Sequence, residues 1–308
     1  MPMPRSEIEK IAIEAVEARK KILSDTFKKL LRRLRTEAVK ALDENHRRML
    51  VISGGSPEKQ GVLAGASVEN YVKALLRRGK EKTKLLYMYH DEFDSSRIRK
   101  EAFRLYVKQY ASHKELGVER TIDVYEKTDR YLGTTFDILV LDLNDDLKPN
   151  DIGRLVEVVR GGGLIILLTP TWGSWDTKMT IFKQKLLVPG YDEPRHVFIK
   201  WFKNKLLEAD GVFIYDVEKD EVIKKPRRKK GKKKETLKEE APALIEERGL
   251  FPRKLYELAL TRDQAEAVRL MEKLVPKPRR GKKTVIVITA DRGRGKSCAM
   301  GIGLVGVA

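Results

Sequence analysis

Six short apolar or β-branched runs, at residues 49–53, 84–90, 121–125, 136–141, 163–169 and 212–215, alternate with helical stretches near 68–77, 95–110, 151–159 and 195–207. This alternation leaves few folds open. Strands joined through helices run parallel, and a parallel sheet needs helices on both faces. The runs are nearly continuous in apolar character, as in Ile138-Leu-Val-Leu141, so both faces of those strands are to be buried. The expectation is an α/β fold with a Rossmann-like parallel sheet domain over residues 49–218.

Ahead of that domain, Ile8, Ile11, Ala15, Ile22, Phe27, Leu30, Leu31 and Leu34 recur at helical spacing with Lys and Arg between them. One or two amphipathic helices are expected over residues 1–48. The cluster Lys28, Lys29, Arg32, Arg33 and Arg35 reads as a solvated helix face in preference to a phosphate-binding one.

Composition changes abruptly at residues 224–234, KKPRRKKGKKK, which hold nine basic residues in eleven and no apolar side chain. Such a stretch cannot pack a core and reads as a linker or surface loop within residues 219–245, with an RNA backbone as a plausible contact. The acidic residues Glu239, Glu240, Glu246 and Glu247 follow, and a new unit is expected over 246–308.

Over the whole chain 64 Lys and Arg face 45 Asp and Glu, a formal charge of +19. That excess favours polyanionic partners, RNA or DNA first, although charged faces alone also account for it. The single cysteine, Cys298, excludes an internal disulfide framework and has no spaced Cys or His partners for a zinc site. The first ten residues lack the apolar core of a secretory signal, and no apolar run approaches the roughly 20 residues needed to span a bilayer. A cytoplasmic protein is expected.

Residues 284–303, TVIVITADRGRGKSCAMGIG, carry the chemistry. An apolar, β-branched run reads as a strand, a glycine-rich turn follows, and a small-residue run can open a helix, which is the setting of a phosphate loop. Aligned to GxxxxGK[ST], the loop is Ala290, Asp291, Arg292, Gly293, Arg294, Gly295, Lys296 and Ser297, with Ala in place of the first Gly. The glycines let successive amides point inward as an anion nest that continues into the positive end of the helix. Lys296 is expected to reach the β and γ phosphates of ATP, and the Ser297 hydroxyl to ligate Mg2+. Arg292 and Arg294 add positive charge there, or face solvent.

Upstream, the block TRDQAEAV at 261–268 precedes a helical pattern. Thr261 is placed to cap that helix. Gln264 offers an amide that can pair with adenine, as in the Q motif of many helicases. Alone, Gln264 reads as a capping or surface residue; about thirty residues before a phosphate-loop lysine, the adenine role is preferred. Three weaker signals are read structurally. Residues 53–56, SGGS, form a tight turn, Asp142 is a strand-end aspartate, and His46, His90, His113 and His196 make no close pair.

With TADRGRGKS at 289–297, TRDQAEAV at 261–268 and FDILVLDLNDDLKPNDIGRLVEVVRGGGLIILLTP at 136–170, the sequence resembles the tRNA(Met) cytidine acetyltransferases, or RNA cytidine acetyltransferases, most closely their archaeal branch. The resemblance spans nearly the whole chain. It implies an amino-terminal Rossmann-like domain, a RecD-like helicase module, a GNAT domain that uses acetyl-CoA, and an RNA-binding tail. It further implies ATP-coupled acetylation of cytidine in RNA, with tRNA or rRNA as partner. The chain ends eleven residues after Ser297. The expectation is therefore an amino-terminal portion carrying the incomplete start of the ATPase, inactive by itself. Two other readings stay open: a non-catalytic RNA-binding or assembly module, and a P-loop helicase that modifies nothing.

Overall fold

The apolar runs pair side by side. The computed structural model describes residues 2–79, 82–111, 117–190, 193–226, 249–276, 283–290 and 295–308. The chain divides into two compact units, Met1–Arg228 and Lys229–Ala308.

The first unit opens with helices α1 (Arg5–Glu17), α2 (Arg19–Ile22) and α3 (Asp25–Glu44). Ser24 caps α3, its Oγ accepting from the Phe27 N–H at 3.0 Å. Phe27, Leu30, Leu31, Leu34, Ala38 and Ala41 return every three or four residues on its buried face. There follow β1 (Arg48–Ser53), α4 (Pro57–Leu76), β2 (Lys82–Tyr89), α5 (Asp94–Tyr106) with a π-helical turn at Val107–Ala111, and β3 (Gly117–Val124). Next come β4 (Phe136–Asp142), α6 (Pro149–Leu155), β5 (Val159–Thr169), α7 (Ile181–Lys185), α8 (Val197–Glu208), β6 (Val212–Asp216) and β7 (Glu221–Lys224).

Among the described residues these strands form one seven-stranded sheet, ordered β3-β2-β4-β5-β1-β6-β7. Every neighbouring pair is parallel except β6 with β7. All six anticipated strands are present. The antiparallel β7 was not anticipated, and it takes residues expected to belong to the basic linker. Lys224 is tied down by its ammonium, which donates to Leu206 O at 2.6 Å and to Ala209 O. Residues 227–234 of the basic run, the acidic stretch and His113 lie outside the described residues. Helix α4 begins eleven residues before the expected 68–77 stretch, because its first half is built of small and polar residues that carry little helical periodicity.

Alternate strand residues face opposite sides. Leu50, Ile52, Val140, Ile166 and Phe213 pack with α1, α3, α4 and α5 on one face. On the other, Val51, Leu139, Leu141, Ile165, Leu167 and Ile214 pack with Ile152 and Leu155 of α6 and Ile199 and Leu206 of α8. Register places Val51 beside both Leu167 and Ile214, so the central strands present one continuous apolar surface. The SGGS segment turns from β1 into α4 with both glycines at positive φ, 73° and 87°.

Polar side chains gather at the carboxyl ends of the central strands. Gln60 of α4, fully buried, donates from Nε2 to Thr169 O at 2.9 Å and to Ile52 O at 3.4 Å. Its Oε1 accepts from Arg99 Nε at 2.7 Å and from Asn144 Nδ2 at 2.9 Å. Arg99 of α5 also pairs with Asp142 at the end of β4, and Ser96 Oγ donates to the same carboxylate at 2.8 Å. Burial weakens the hold of Arg99 on its proton, but Asp142, Tyr87 and Asp145 together outweigh burial and the pKa ends raised. Asp142 is thus occupied by its own unit, in keeping with a strand-end role.

The second unit contains α9 (Arg253–Glu257), α10 (Arg262–Met271) and α11 (Lys296–Val307) around Phe251, Tyr256, Val268 and Met271. The strand expected over 284–288 is not formed: residues 283–290 carry no sheet pairing. The alternation that suggested it is real, since Ile286 and Ile288 pack on this small core while Val285 and Val287 are exposed. A strand, however, needs a hydrogen-bonded neighbour, and the described residues of this unit supply none. No helix among the described residues is long and apolar enough to cross a membrane.

Helices α4 and α5 meet through glycine. A Cβ at Gly61 would fall 2.4 Å from Arg99 O and 2.9 Å from Ala102 Cβ. Gly61→Val should therefore destabilise the chain by about 2–3 kcal/mol, through overpacking at a contact that has no room to yield. Chemical denaturation monitored by circular dichroism measures this, and an unchanged midpoint would contradict the close packing of the two helices.

Candidate nucleotide-binding site

Helix α10 starts with a capping arrangement written in Thr261-Arg-Asp-Gln264. Thr261 Oγ1 accepts from the Gln264 N–H at 3.3 Å, and the Gln264 side chain turns back, its Oε1 accepting from the Leu260 N–H at 2.9 Å. This is a capping box displaced by one residue, and it fixes the Gln264 amide at the amino end of α10.

Helix α11 brings the second half of the site. Its preceding residue, Gly295, has φ 80°, a left-handed conformation that a side chain would strain. The same residue leaves no room for a Cβ, which would lie 2.2 Å from Gln264 Nε2. The two residues singled out from separate motifs are therefore neighbours, with the Gln264 amide nitrogen against the glycine that opens α11. Helix α11 seats on α10 by its small residues: a Cβ on Gly303 would meet Met271 at 2.6 Å, and one on Gly306 the Phe251 ring at 2.5 Å. Tyr256 supports Phe251, its hydroxyl donating to Glu272 and accepting from the Phe251 N–H at 3.1 Å.

Lys296, half-buried, donates from Nζ to Ala290 O, so the first residue of the eight-residue loop and its lysine are joined. Ser297 is exposed on the first turn of α11, and Ala290 is exposed at the start of the loop. Asp291, Arg292, Gly293 and Arg294 lie outside the described residues. What the described part assembles is a helix amino terminus introduced by a left-handed glycine, an ammonium beside it, a hydroxyl on the first turn and a carboxamide on the flank. Those groups can donate to an anion, ligate a hard cation and pair with a purine edge.

The capping role of Gln264 was legible from Thr261 three residues earlier. Its approach to Gly295 was not, since thirty residues intervene and the packing of α10 on α11 creates it.

Comparison with known proteins adds an independent line. The family described as tRNA(Met) cytidine acetyltransferase TmcA, N-terminal, matches residues 23–217. The tRNA(Met) cytidine acetyltransferase TmcA of Pyrococcus abyssi is 37% identical over 306 residues, covering 94% of this chain and 36% of that protein. The protein of the same name from Thermococcus kodakarensis is 36% identical over 288 residues, 89% of this chain and 34% of its own length. That from Thermofilum pendens is 37% identical over 277 residues, 88% and 32%. The chain thus spans about a third of the length of these relatives. With the family match running from α3 through β6 to Val217, and its relatives aligned beyond it, the chain belongs to the tRNA(Met) cytidine acetyltransferase TmcA family.

Proposed function

We propose that this chain supplies the amino-terminal portion of an ATP-dependent enzyme that forms N(4)-acetylcytidine in tRNA(Met) with acetyl-CoA as acetyl donor. In this reading the first unit is the Rossmann-like domain, residues 219–245 include the basic linker, and residues 246–308 begin a RecD-like ATPase. The observation that carries the nucleotide assignment is the meeting of Gln264 with Gly295 beside the Lys296–Ala290 closure. The names of the relatives support the acetyltransferase assignment.

ATP is held by residues from Ala290 to Ser297, through main-chain amides, the Lys296 ammonium and the amino end of α11. Ser297 ligates Mg2+ through its hydroxyl. Gln264 would read an adenine edge from the flank, with its Nε2 against Gly295. Bound ATP would draw Lys296 from Ala290 O onto the phosphates, exchanging a neutral acceptor for a charged one. The chemistry ATP supplies is phosphoryl-transfer free energy for the acetylation cycle. The runner-up reading, a helicase without acetyl transfer, shares this loop and differs only in what the remainder of the protein carries.

Two measurements test the proposal. In a version extended to the length of the relatives, Lys296→Ala should lower ATP turnover on the order of 100-fold, the scale of removing one preorganised cationic donor. Unchanged turnover would show the loop to be wrongly assigned. Deleting residues 227–234, which leaves β7 whole, should weaken tRNA binding and reduce the slope of log K against log salt by about 3 or more, since each phosphate contact contributes roughly 0.7–0.9. An unaltered slope would reduce that run to a spacer.

A further inference from the structure

Strands β2 and β4 are neighbours whose following helices leave toward opposite sides. Helix α5 carries the chain outward to β3 over the face shared with α4, whereas α6 carries it to β5 over the other face. Where adjacent parallel strands part in this way a crevice opens beyond their carboxyl ends, and open α/β sheets hold ligands there. Asp142, on the β4 side, is consumed by Arg99 and Ser96. The β2 side is different.

His90 follows β2 directly and is 2% exposed. The Tyr125 ring lies against it at 4.6 Å and Phe93 meets it edge-on at 6.0 Å, so the imidazole is fixed. Its main-chain N–H donates to Ser96 Oγ at 3.3 Å, but its side-chain Nδ1 makes no hydrogen bond among the described residues. A buried polar atom in that state costs free energy and asks for a partner. Glu92 Oε1 lies 3.4 Å from that nitrogen. Glu126, in the 3-10 segment after β3, completes a set of three donor atoms that all fall within 4.8 Å of one another. Ligand atoms about 2.1 Å from a tetrahedral ion are about 3.4 Å apart, so His90 and Glu92 already stand at the length of a coordination edge.

We propose that His90, Glu92 and Glu126 form a site for a divalent transition-metal ion, with Zn2+ the best match to one imidazole nitrogen and two carboxylate oxygens. The imidazole is buried and held, while the two glutamates reach in from the exposed side and close by rotating their side chains. Three protein ligands leave a fourth position open to water or to a ligand oxygen.

Co2+ serves as the probe, because its visible absorption reports coordination. Titrated into the whole chain, it should give a saturable spectrum at one equivalent that Zn2+ displaces. Glu92→Gln and Glu126→Gln, surface changes that leave the circular dichroism intact, should each weaken binding on the order of 10–100-fold. His90→Ala should abolish the spectrum. Absence of a one-equivalent spectrum, or an affinity unchanged in the Glu92→Gln/Glu126→Gln double variant, would overturn the site and leave His90 a buried ring packed against Tyr125 and Phe93.

Discussion

A strand buried on both faces can place a polar side chain only at its ends, and the protein of the first unit depends on how those ends are satisfied. Gln60 uses its whole amide at once, two donations to main-chain carbonyls of β1 and β5 and two acceptances from Arg99 and Asn144. Arg99 in turn meets Asp142 of β4. One connected group therefore ties α4 and α5 to three neighbouring strands. A buried ion pair recovers its desolvation cost only when its remaining hydrogen-bonding capacity is filled, and here Ser96 and Asn144 fill it. The close approach of the helices at Gly61 keeps Arg99 within reach of Gln60.

No such frame is present among the described residues of the second unit. Its described core is built around the contact of α10 with α11, and the extended run before the loop rests on that core by Ile286 and Ile288. The residues of the candidate nucleotide site are nevertheless arranged by local means: a capped helix start for Gln264, a left-handed glycine for α11, and a lysine hydrogen-bonded to Ala290. Local geometry of this kind survives without a sheet because each piece is set by hydrogen bonds a few residues apart.

Much of the sheet was legible in the sequence, because central parallel strands must be apolar on consecutive residues and few other segments are. The short antiparallel β7 was hidden, being half-exposed and followed at once by the basic run. The strand expected over 284–288 failed for the opposite reason: its pattern was correct, but pairing is a property of neighbours and not of the segment itself. At the candidate nucleotide site, residue types and spacing singled out Gln264 and the loop, and the structure adds that Gln264 lies against Gly295. The His90 cluster was beyond such reading, since His90, Glu92 and Glu126 come from connections after two different strands, and only the sheet order β3-β2-β4 brings them to one crevice.

The first unit holds a doubly covered parallel sheet, whereas the described residues of the second unit, including 283–290, form no strand pairing. Amide hydrogen exchange followed by mass spectrometry tests it most directly. Strands β1, β4 and β5 should exchange only through global opening of the first unit, while residues 284–288 should exchange orders of magnitude faster. Protection of residues 284–288 equal to that of β4 would contradict it, because such protection requires a strand partner and none is present among the described residues.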